Sequence, residues 1–334
     1  MVLLGMGVVG TALAREVLAE GSRLGGKDGH GIRVVAVADS RSTAVNSRGL
    51  DLTAVLRRKS ETGLVGETDG SVDNGHLLME TEADMMVMLT SANPKTGEPA
   101  LSQTVAALEN GMDVVTANKM PLALRYRELL DLARRRGRII RYSACVGGGM
   151  PVIEFGELCA MGDDVRRIDG VLNATSNFIL SEMERGADFN HAVKKARRLG
   201  YAEADPSLDV DGIDAACKMV ILGNHVLGRA FRLGDVNPRE GIRKVSAVEV
   251  KSALRKGKRV RMVASAERGV EVRVTEIPAG DAICVRGTDN AVRFECLHSG
   301  PRLIQGPAGG GPATSTAVIR DILAVARLRT GLAR

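Results

Sequence analysis

Tryptophan is absent from the sequence, and aromatic residues make up only 2% of its 334 positions. The cores must therefore rest on Val, Leu, Ile, Ala and Met. Long apolar runs are missing as well. Stretches such as Met85–Leu89 are far too short to span a bilayer, which excludes a helical membrane protein. The chain opens directly on an apolar strand with no basic leader, so no signal peptide is expected. Cysteines are few and odd in number (Cys145, Cys159, Cys217, Cys284 and Cys296), and they are widely spaced. That usage suits reduced thiols in the cytoplasm rather than a disulfide framework. The five histidines lack zinc-like spacing, and neither an internal repeat nor a low-complexity linker is visible.

What is present is a globular balance of 44% hydrophobic and 26% charged residues, with net charge +6 and pI near 9.2. The basic residues collect at Arg134–Arg138, Lys194–Arg198 and Arg255–Arg261. The first two runs fall on expected helices and none is interleaved with aromatics. They read as solvated helix faces, and no nucleic-acid partner is expected.

The first part of the chain alternates strand and helix. Val2–Leu4 reads as a strand, Gly10–Glu20 as a helix and Ile32–Asp39 as a second strand. Strand Asp84–Thr90, helix Glu98–Asn110, strand Asp113–Ala117, helix Pro121–Arg136 and strand Arg138–Ala144 follow. Such alternation implies an α/β fold, a Rossmann-type parallel sheet covered by helices on both faces. After Gly149 the pattern changes to a helix near Pro151–Ala160, strand Arg166–Leu172, and helices near Asn177–Glu184, Asn190–Leu199 and Gly212–Leu227. From Val245 β-rich runs dominate: Val260–Ser265, Val270–Glu276, Ala282–Arg286 and Val292–Leu297. Glu267–Gly269 and Thr288–Asn290 read as turns between paired strands. A final helix, Thr316–Leu328, follows the glycine-rich segment Gly306–Gly311 and is expected to pack on the first domain. The expected division is residues 1–144 and 306–334 for a dinucleotide-binding domain. Residues 145–305 would form an α+β domain for catalysis and dimerisation.

Val2-Leu3-Leu4-Gly5-Met6-Gly7-Val8-Val9-Gly10 is a strand followed by G-x-G-x-x-G and an amphipathic helix. Gly5 permits the tight turn, Gly7 lets backbone approach a pyrophosphate, and Gly10 allows close helix–strand contact. With Val8 and Val9 opening the helix, free N–H groups and a positive dipole face the anion. The motif alone is weak, but strand and helix on either side make NAD or NADP the expected cofactor. Asp39 ends the second strand, where a carboxylate can hold an adenosine ribose, displaced by a Gly21–Gly31 insertion. Arg41, with Arg57, Arg58 and Lys59 downstream, offers a 2′-phosphate site instead. Asp39 argues for NAD and Arg41 for NADP, so both stay open.

Thr116-Ala117-Asn118-Lys119-Met120-Pro121 lies at the carboxyl end of a parallel strand, the edge where α/β sheets place ligands. A denser cluster is Gly200-Tyr201-Ala202-Glu203-Ala204-Asp205-Pro206, followed by Asp209, Asp211, Gly212, Asp214 and Lys218. A calcium loop starting at Ser207 fails, because Lys218 stands where a bidentate Glu is required. Asp214 and Lys218 are i,i+4 neighbours. On an exposed helix this would be a weak surface pair, but here the helix is otherwise apolar, which points to a site. Cys145 precedes a triple-glycine loop without a neighbouring histidine and reads as a packed residue rather than a nucleophile.

Taken together, Gly5–Gly10, Thr96–Pro99, Val114–Lys119, Val146–Pro151, Gly170–Leu180, Leu199–Lys218 and Gly306–Asp321 resemble homoserine dehydrogenase, in that family's order and spacing. The chain looks like the short form without a regulatory ACT domain. The resemblance implies interconversion of L-homoserine and L-aspartate 4-semialdehyde with NAD or NADP. It implies Lys218 and Lys119 as proton-transfer residues. Glu203, Asp214 and Asp209 would hold the substrate's ammonium and hydroxyl ends, with Thr175 and Tyr201 lining the pocket. Thr90, Lys119, Gly200, Glu203 and Gly310 would lie near the dinucleotide. A homodimer built through the β-rich region is implied as well. A lysine base must be neutral in the oxidative direction, so homoserine oxidation is expected to be faster at alkaline pH. The family often carries Glu where Ser143 stands. That carboxylate helps bind an alkali cation with loop carbonyls; without it the carbonyls of Val146, Gly148 and Met150 leave a weakly held alkali cation open, and no metal is assigned. The rivals are another two-domain semialdehyde dehydrogenase and a non-catalytic NAD(P)-responsive regulator.

Overall fold

A computed structural model describes residues 1–24, 31–67, 69–70, 73–91 and 93–330, so residues 25–30 of the Gly21–Gly31 insertion lie outside the described residues. The chain divides into two compact units, Met1–Gly149 with Gly310–Arg334, and Met150–Gly309.

The first unit runs β1 (Val2–Leu4), α1 (Val8–Leu24), β2 (Ala36–Ala38), β3 (Thr43–Val45), α2 (Leu52–Thr62), α3 (Asn74–Glu80), β4 (Met85–Met88), α4 (Ala100–Glu109), β5 (Asp113–Thr116), α5 (Lys119–Arg135) and β6 (Ile140–Arg141). Its sheet has the order β3-β2-β1-β4-β5-β6. Every pairing is parallel except β2 with β3, so the expected parallel sheet carries an antiparallel edge strand. β1, β2, β4 and β5 are buried along their whole length, as befits parallel strands covered on both faces. Strand order reverses beside β1, and the carboxyl ends of β1 and β4 flank that switch point, where open α/β sheets bind ligands. The strand expected over Arg138–Ala144 is cut short because Ser143–Cys145 turns into a 3₁₀ segment.

The second unit runs α6 (Val152–Met161), β7 (Val165–Val171), α7 (Ala174–Glu184), α8 (Phe189–Arg198), α9 (Ser207–Val210), α10 (Ile213–Val226), α11 (Ala247–Arg255), β8 (Lys258–Ala266), β9 (Val270–Pro278), β10 (Asp289–Cys296) and β11 (Gly300–Pro307). These strands form an antiparallel sheet in the order β11-β10-β7-β8-β9. The helix α12 (Gly311–Thr330) then belongs to the first unit, where it packs along α1.

Two expectations fail in the second unit. Ala282–Arg286 forms no strand. Its Ile283 and Val285 instead cover Val171, Val263 and Ala291 on a sheet face, so the alternating apolar pattern came from a strap rather than a ladder. Asp289 and Asn290 are not turn residues either, because the turn sits at Gly287–Thr288 and β10 starts at Asp289. Asn290 is fully buried, and its Nδ2 donates to the Leu172 carbonyl at 3.0 Å. A buried hydrogen-bonding task there overrides the usual turn preference of asparagine. Sequence reading also missed β3, β11, α2, α3 and α11. The last of these is fixed by a capping box between Ser246 and Glu249.

Candidate active site

In the first unit the site is built mainly from backbone. Gly5 adopts φ +101°, and a Cβ there would lie 2.7 Å from the Leu89 carbonyl carbon and 2.9 Å from Thr90 N. A Cβ on Gly10 would fall 2.0 Å from the Gly5 carbonyl oxygen, so both glycines are required by close backbone approach. Gly7 differs: space beside it is open. The first intrahelical bond of α1 runs from Thr11 N to Gly7 O at 2.9 Å, which leaves the N–H groups of Val8, Val9 and Gly10 without helical acceptors. Val8 is 76% exposed over this turn. Open space at Gly7 in front of a helix N-terminus is the cradle a pyrophosphate needs, so these residues fit a dinucleotide.

The turn has a second wall that the sequence motif did not reveal. A Cβ on Gly311, the first residue of α12, would meet Val8 Cγ1 at 2.6 Å, so the N-termini of α12 and α1 lie together. Gly310, at φ +92°, makes the bend that brings α12 there. Thr90, at the end of β4, keeps a buried hydroxyl with no partner among the described residues, and its carbonyl accepts from Asn118 Nδ2 at 2.9 Å. Asn118 also caps α5 through Met120 N and so fixes the start of the helix that Lys119 opens. Lys119 is half-buried at the carboxyl end of β5.

At the expected ribose end, Asp39 is 8% exposed. Its Oδ1 accepts from the N–H groups of Arg41 and Ser42, each at 2.9 Å, and its Oδ2 accepts from Lys59 Nζ at 2.6 Å. Burial alone would raise the Asp39 pKa, but Lys59 and the two backbone donors together hold it below its ordinary value. Arg41 in turn pairs with Asp69 at the surface. Asp39, Lys59 and Arg41 are therefore each held by an opposite charge. Arg57 and Arg58 form no ion pair among the described residues.

Ser143 is buried, with its N–H donating to Asp321 Oδ2 at 2.8 Å and its hydroxyl to Oδ1 at 2.7 Å. It is thus committed to α12, and it supplies no carboxylate to the following loop. Among the described residues no group of three His, Cys, Asp or Glu side chains is placed to hold a metal. Cys145 is buried, its thiol directed at the Thr116 carbonyl at 3.4 Å.

In the second unit the site is built from side chains. Lys218 and Asp214 pair at 2.7 Å on α10 with 15% and 11% side-chain exposure, so this is a sheltered ion pair rather than a surface one. Lys218 Nζ also donates to the Leu172 carbonyl at 2.7 Å. Asn173 follows at the start of α7. Its Nδ2 donates to Asp209 Oδ1 at 2.6 Å and to Asp214 Oδ2 at 2.8 Å, while its Oδ1 accepts the Ser176 N–H at 2.8 Å. Asp209, on α9, has its pKa raised by burial and then by the neighbouring Asp214 carboxylate, against the lowering pull of Asn173, Lys218 and Thr175.

Thr175 donates its hydroxyl to the Tyr201 carbonyl at 2.6 Å, and the Tyr201 ring lies 4.9 Å from that of Phe178. Gly200, at φ +76°, ends α8 and starts this segment. Glu203 is exposed and has no hydrogen-bond or ion-pair partner among the described residues. Asp205 and Asp211 do not join the cluster, since Asp205 bonds Ser207 and Asp211 pairs with Arg243. The structure thus brings together Thr175, Tyr201, Asp209, Asp214 and Lys218 in this unit. It adds Asn173 and the Leu172 carbonyl, which sequence reasoning missed.

Comparison with known proteins supplies the family. Residues 5–143 match the model described as "Homoserine dehydrogenase, NAD binding domain", and residues 151–323 match the model described as "Homoserine dehydrogenase". A homoserine dehydrogenase of Methanocaldococcus jannaschii is 34% identical over 97% of this chain and 97% of its own length. An NAD(+)-dependent homoserine dehydrogenase of Pseudomonas canavaninivorans is 33% identical over 97% and 95%. A hyperthermophilic archaeal homoserine dehydrogenase solved in complex with NADPH superposes with TM-score 0.84 at 30% identity, covering 97% of this chain and 96% of that one.

Proposed function

The chain belongs to the homoserine dehydrogenase family, NAD(P)-dependent oxidoreductases acting on a CH–OH group, and from that premise we propose which residues carry the reaction and how. The reaction interconverts L-homoserine and L-aspartate 4-semialdehyde in amino-acid biosynthesis. Gly5, Gly7, Val8, Val9, Gly10 and Gly310 hold the pyrophosphate region, with Thr90, Lys119, Gly200 and Glu203 near the same cofactor. When bound, NAD or NADP supplies the hydride acceptor for oxidation or the donor for reduction.

Lys218 is the proton-transfer residue at the substrate's C4 oxygen. Two of its three ammonium hydrogens are committed, to Asp214 Oδ2 and to the Leu172 carbonyl, which leaves one for the substrate. In reduction the ammonium donates that proton to the forming alkoxide. In oxidation the amine must first shed a proton to accept the one from the hydroxyl, which favours alkaline pH. Lys119 is the second proton-transfer residue. Asp209, Asp214 and Glu203 receive the substrate's ammonium group, for which a carboxylate excess around one lysine is the expected partner. Thr175 and Tyr201 line the same pocket. The observation that carries this reading is the sheltered Lys218–Asp214 pair with its ammonium anchored on Leu172.

The finer proposals are a cytoplasmic homodimer paired through the second unit's sheet, whose edge strand β11 leaves Leu303 36% exposed, together with the domain roles 1–144 plus 306–334 and 145–305. No described helix is long and apolar enough to cross a membrane. The test of the catalytic reading is NADPH or NADH consumption with aspartate semialdehyde, comparing wild type with Lys218→Ala. The variant is expected to lose roughly 10²–10⁴-fold in kcat, the usual worth of a positioned acid or base. A variant at full rate would overturn the assignment, and cofactor binding without turnover in wild type would favour a regulator instead.

A further inference from the structure

Asn173 spends both of its side-chain donors and an acceptor bond within this site. Its side-chain nitrogen has two hydrogens, and they go to two different carboxylates, Asp209 Oδ1 and Asp214 Oδ2. Its oxygen accepts the Ser176 N–H, which fixes which end of the amide is the nitrogen and which the oxygen. The residue is 3% exposed, so these bonds are largely sheltered from solvent. The backbone is pinned too. The preceding Leu172 carbonyl receives both Lys218 Nζ and Asn290 Nδ2, at 2.7 and 3.0 Å. Ser176 Oγ donates to the Asp209 carbonyl at 2.9 Å, tying the turn that carries Asp209 to the same helix start.

Resting on the reading of Asp209 and Asp214 as substrate carboxylates, we propose that Asn173 is the positioning residue of this site. Its single amide nitrogen holds the two carboxylates at the separation and orientation that receive the substrate's ammonium group. No other residue type does the same at this position. Aspartate would keep the helix cap but bring a third negative charge, and serine would keep the cap while reaching neither carboxylate as a double donor. Two acidic groups held this close repel each other, and a neutral donor bridging them adds to the Lys218 ammonium in keeping both ionised. The groups facing Asp209 are Asp214 and Lys218 from α10 and Asn173 and Thr175 from α7. On its own turn, Asp205 and Asp211 are engaged by Ser207 and Arg243. With the bridge removed, Lys218 is the cation left facing the pair, and one carboxylate is expected to take up a proton at higher pH than before.

The experiment is Asn173→Ser, which preserves the α7 cap, compared with wild type for homoserine oxidation across pH. The expected result is a homoserine kcat/KM lower by roughly 10- to 100-fold, carried mainly by KM. The acidic limb should move up by about one pH unit, and the dinucleotide KM should not change. Asn173→Asp, which also caps, should lose activity more severely and keep its dinucleotide KM, so it serves if the serine variant folds poorly. A serine variant with wild-type homoserine kinetics and an unmoved acidic limb overturns the proposal. So does a loss in kcat that is uniform across pH and accompanied by a raised dinucleotide KM, because that marks a merely structural role. A wild type inactive on homoserine would instead overturn the reading beneath it.

Discussion

The two units build their candidate sites from different materials. The first relies on main chain: two glycines whose Cβ atoms would strike backbone, one glycine facing open space, and two adjoining helix N-termini. The second relies on side chains, with Asn173 from the start of α7, Asp209 from α9, and Asp214 and Lys218 from α10 bonded to one another. The difference follows from the chemistry each must recognise. A pyrophosphate is a diffuse anion that oriented N–H groups satisfy without any titrating group. A substrate whose hydroxyl must lose or gain a proton needs groups that exchange protons, and those must be tuned by neighbours.

The largest expected effect tests the backbone half. Gly7→Ala places its Cβ in space that, chain neighbours aside, no atom of the described residues approaches within 4 Å, and Gly7 needs no left-handed backbone. The variant should therefore melt with wild type, yet bind dinucleotide roughly 100-fold more weakly if, as proposed, that space takes the pyrophosphate. Gly10→Ala should lose both dinucleotide binding and stability, because its Cβ would meet the Gly5 carbonyl oxygen at 2.0 Å. Isothermal titration with dinucleotide alongside thermal melting separates the two. If Gly7→Ala bound dinucleotide normally, the backbone account of this unit would fail.

A smaller effect, of mixed sign, tests the side-chain half. Burial and Asp214 raise the Asp209 pKa, so the folded protein holds that proton more tightly than the unfolded chain does. The associated stability is fully present below the unfolded-state pKa and is lost as pH rises through the folded-state value. At neutral pH the ionised Asp209 is thus a cost to folding. Asp209→Asn keeps an oxygen to accept from Asn173 and removes the charge. It should be more stable at pH 7 by roughly 0.5–2 kcal/mol, with the gain fading as pH falls, and poorer in homoserine kcat/KM by about tenfold. Urea unfolding at two pH values, beside kinetics, checks both. A variant less stable than wild type at neutral pH would contradict the electrostatic account.

This division also explains what could be read from the sequence. The glycine turn, β1 and the order of strands and helices were legible because backbone recognition uses local spacing and fully buried parallel strands leave continuous apolar runs. Lys218 and Asp214 were legible as a charge pair on an otherwise apolar helix, and Asp209 as one of the carboxylates clustered before it. Asn173 was not, because the α7 boundary read from sequence began at Asn177, which left Asn173 outside the helix. Placing the start at Ala174 turns it into the cap, and Asn173 itself, a favoured N-cap residue, is the signal that was available. Ala282–Arg286 misled for a related reason: an alternating run reports a buried face, and a strap over a sheet buries one as well as a strand does. The adjoining start of α12 is non-local by some 300 residues, and no local pattern encodes it.

The smallest effect concerns the ribose end, where the first unit does use side chains and where the sequence offered two opposed signals. Each is offset in the fold: Lys59 covers Asp39, and Asp69 holds Arg41. Neither the carboxylate that would choose NAD nor the guanidinium that would choose NADP acts with its full charge, so modest discrimination between the two cofactors is expected. The offsets can be removed one at a time. Lys59→Met uncovers Asp39, so kcat/KM should shift toward NAD by about tenfold, because Asp39 is buried and little screened. Asp69→Asn releases Arg41 and should shift it toward NADP by only a few-fold. Both partners of that pair are half-exposed, and salt should erase most of the change. Opposite directions from two charge-removing substitutions is the outcome that a general loss of fold could not imitate. If both variants moved preference the same way, the pairing of each charge with its own partner would not be what sets cofactor choice.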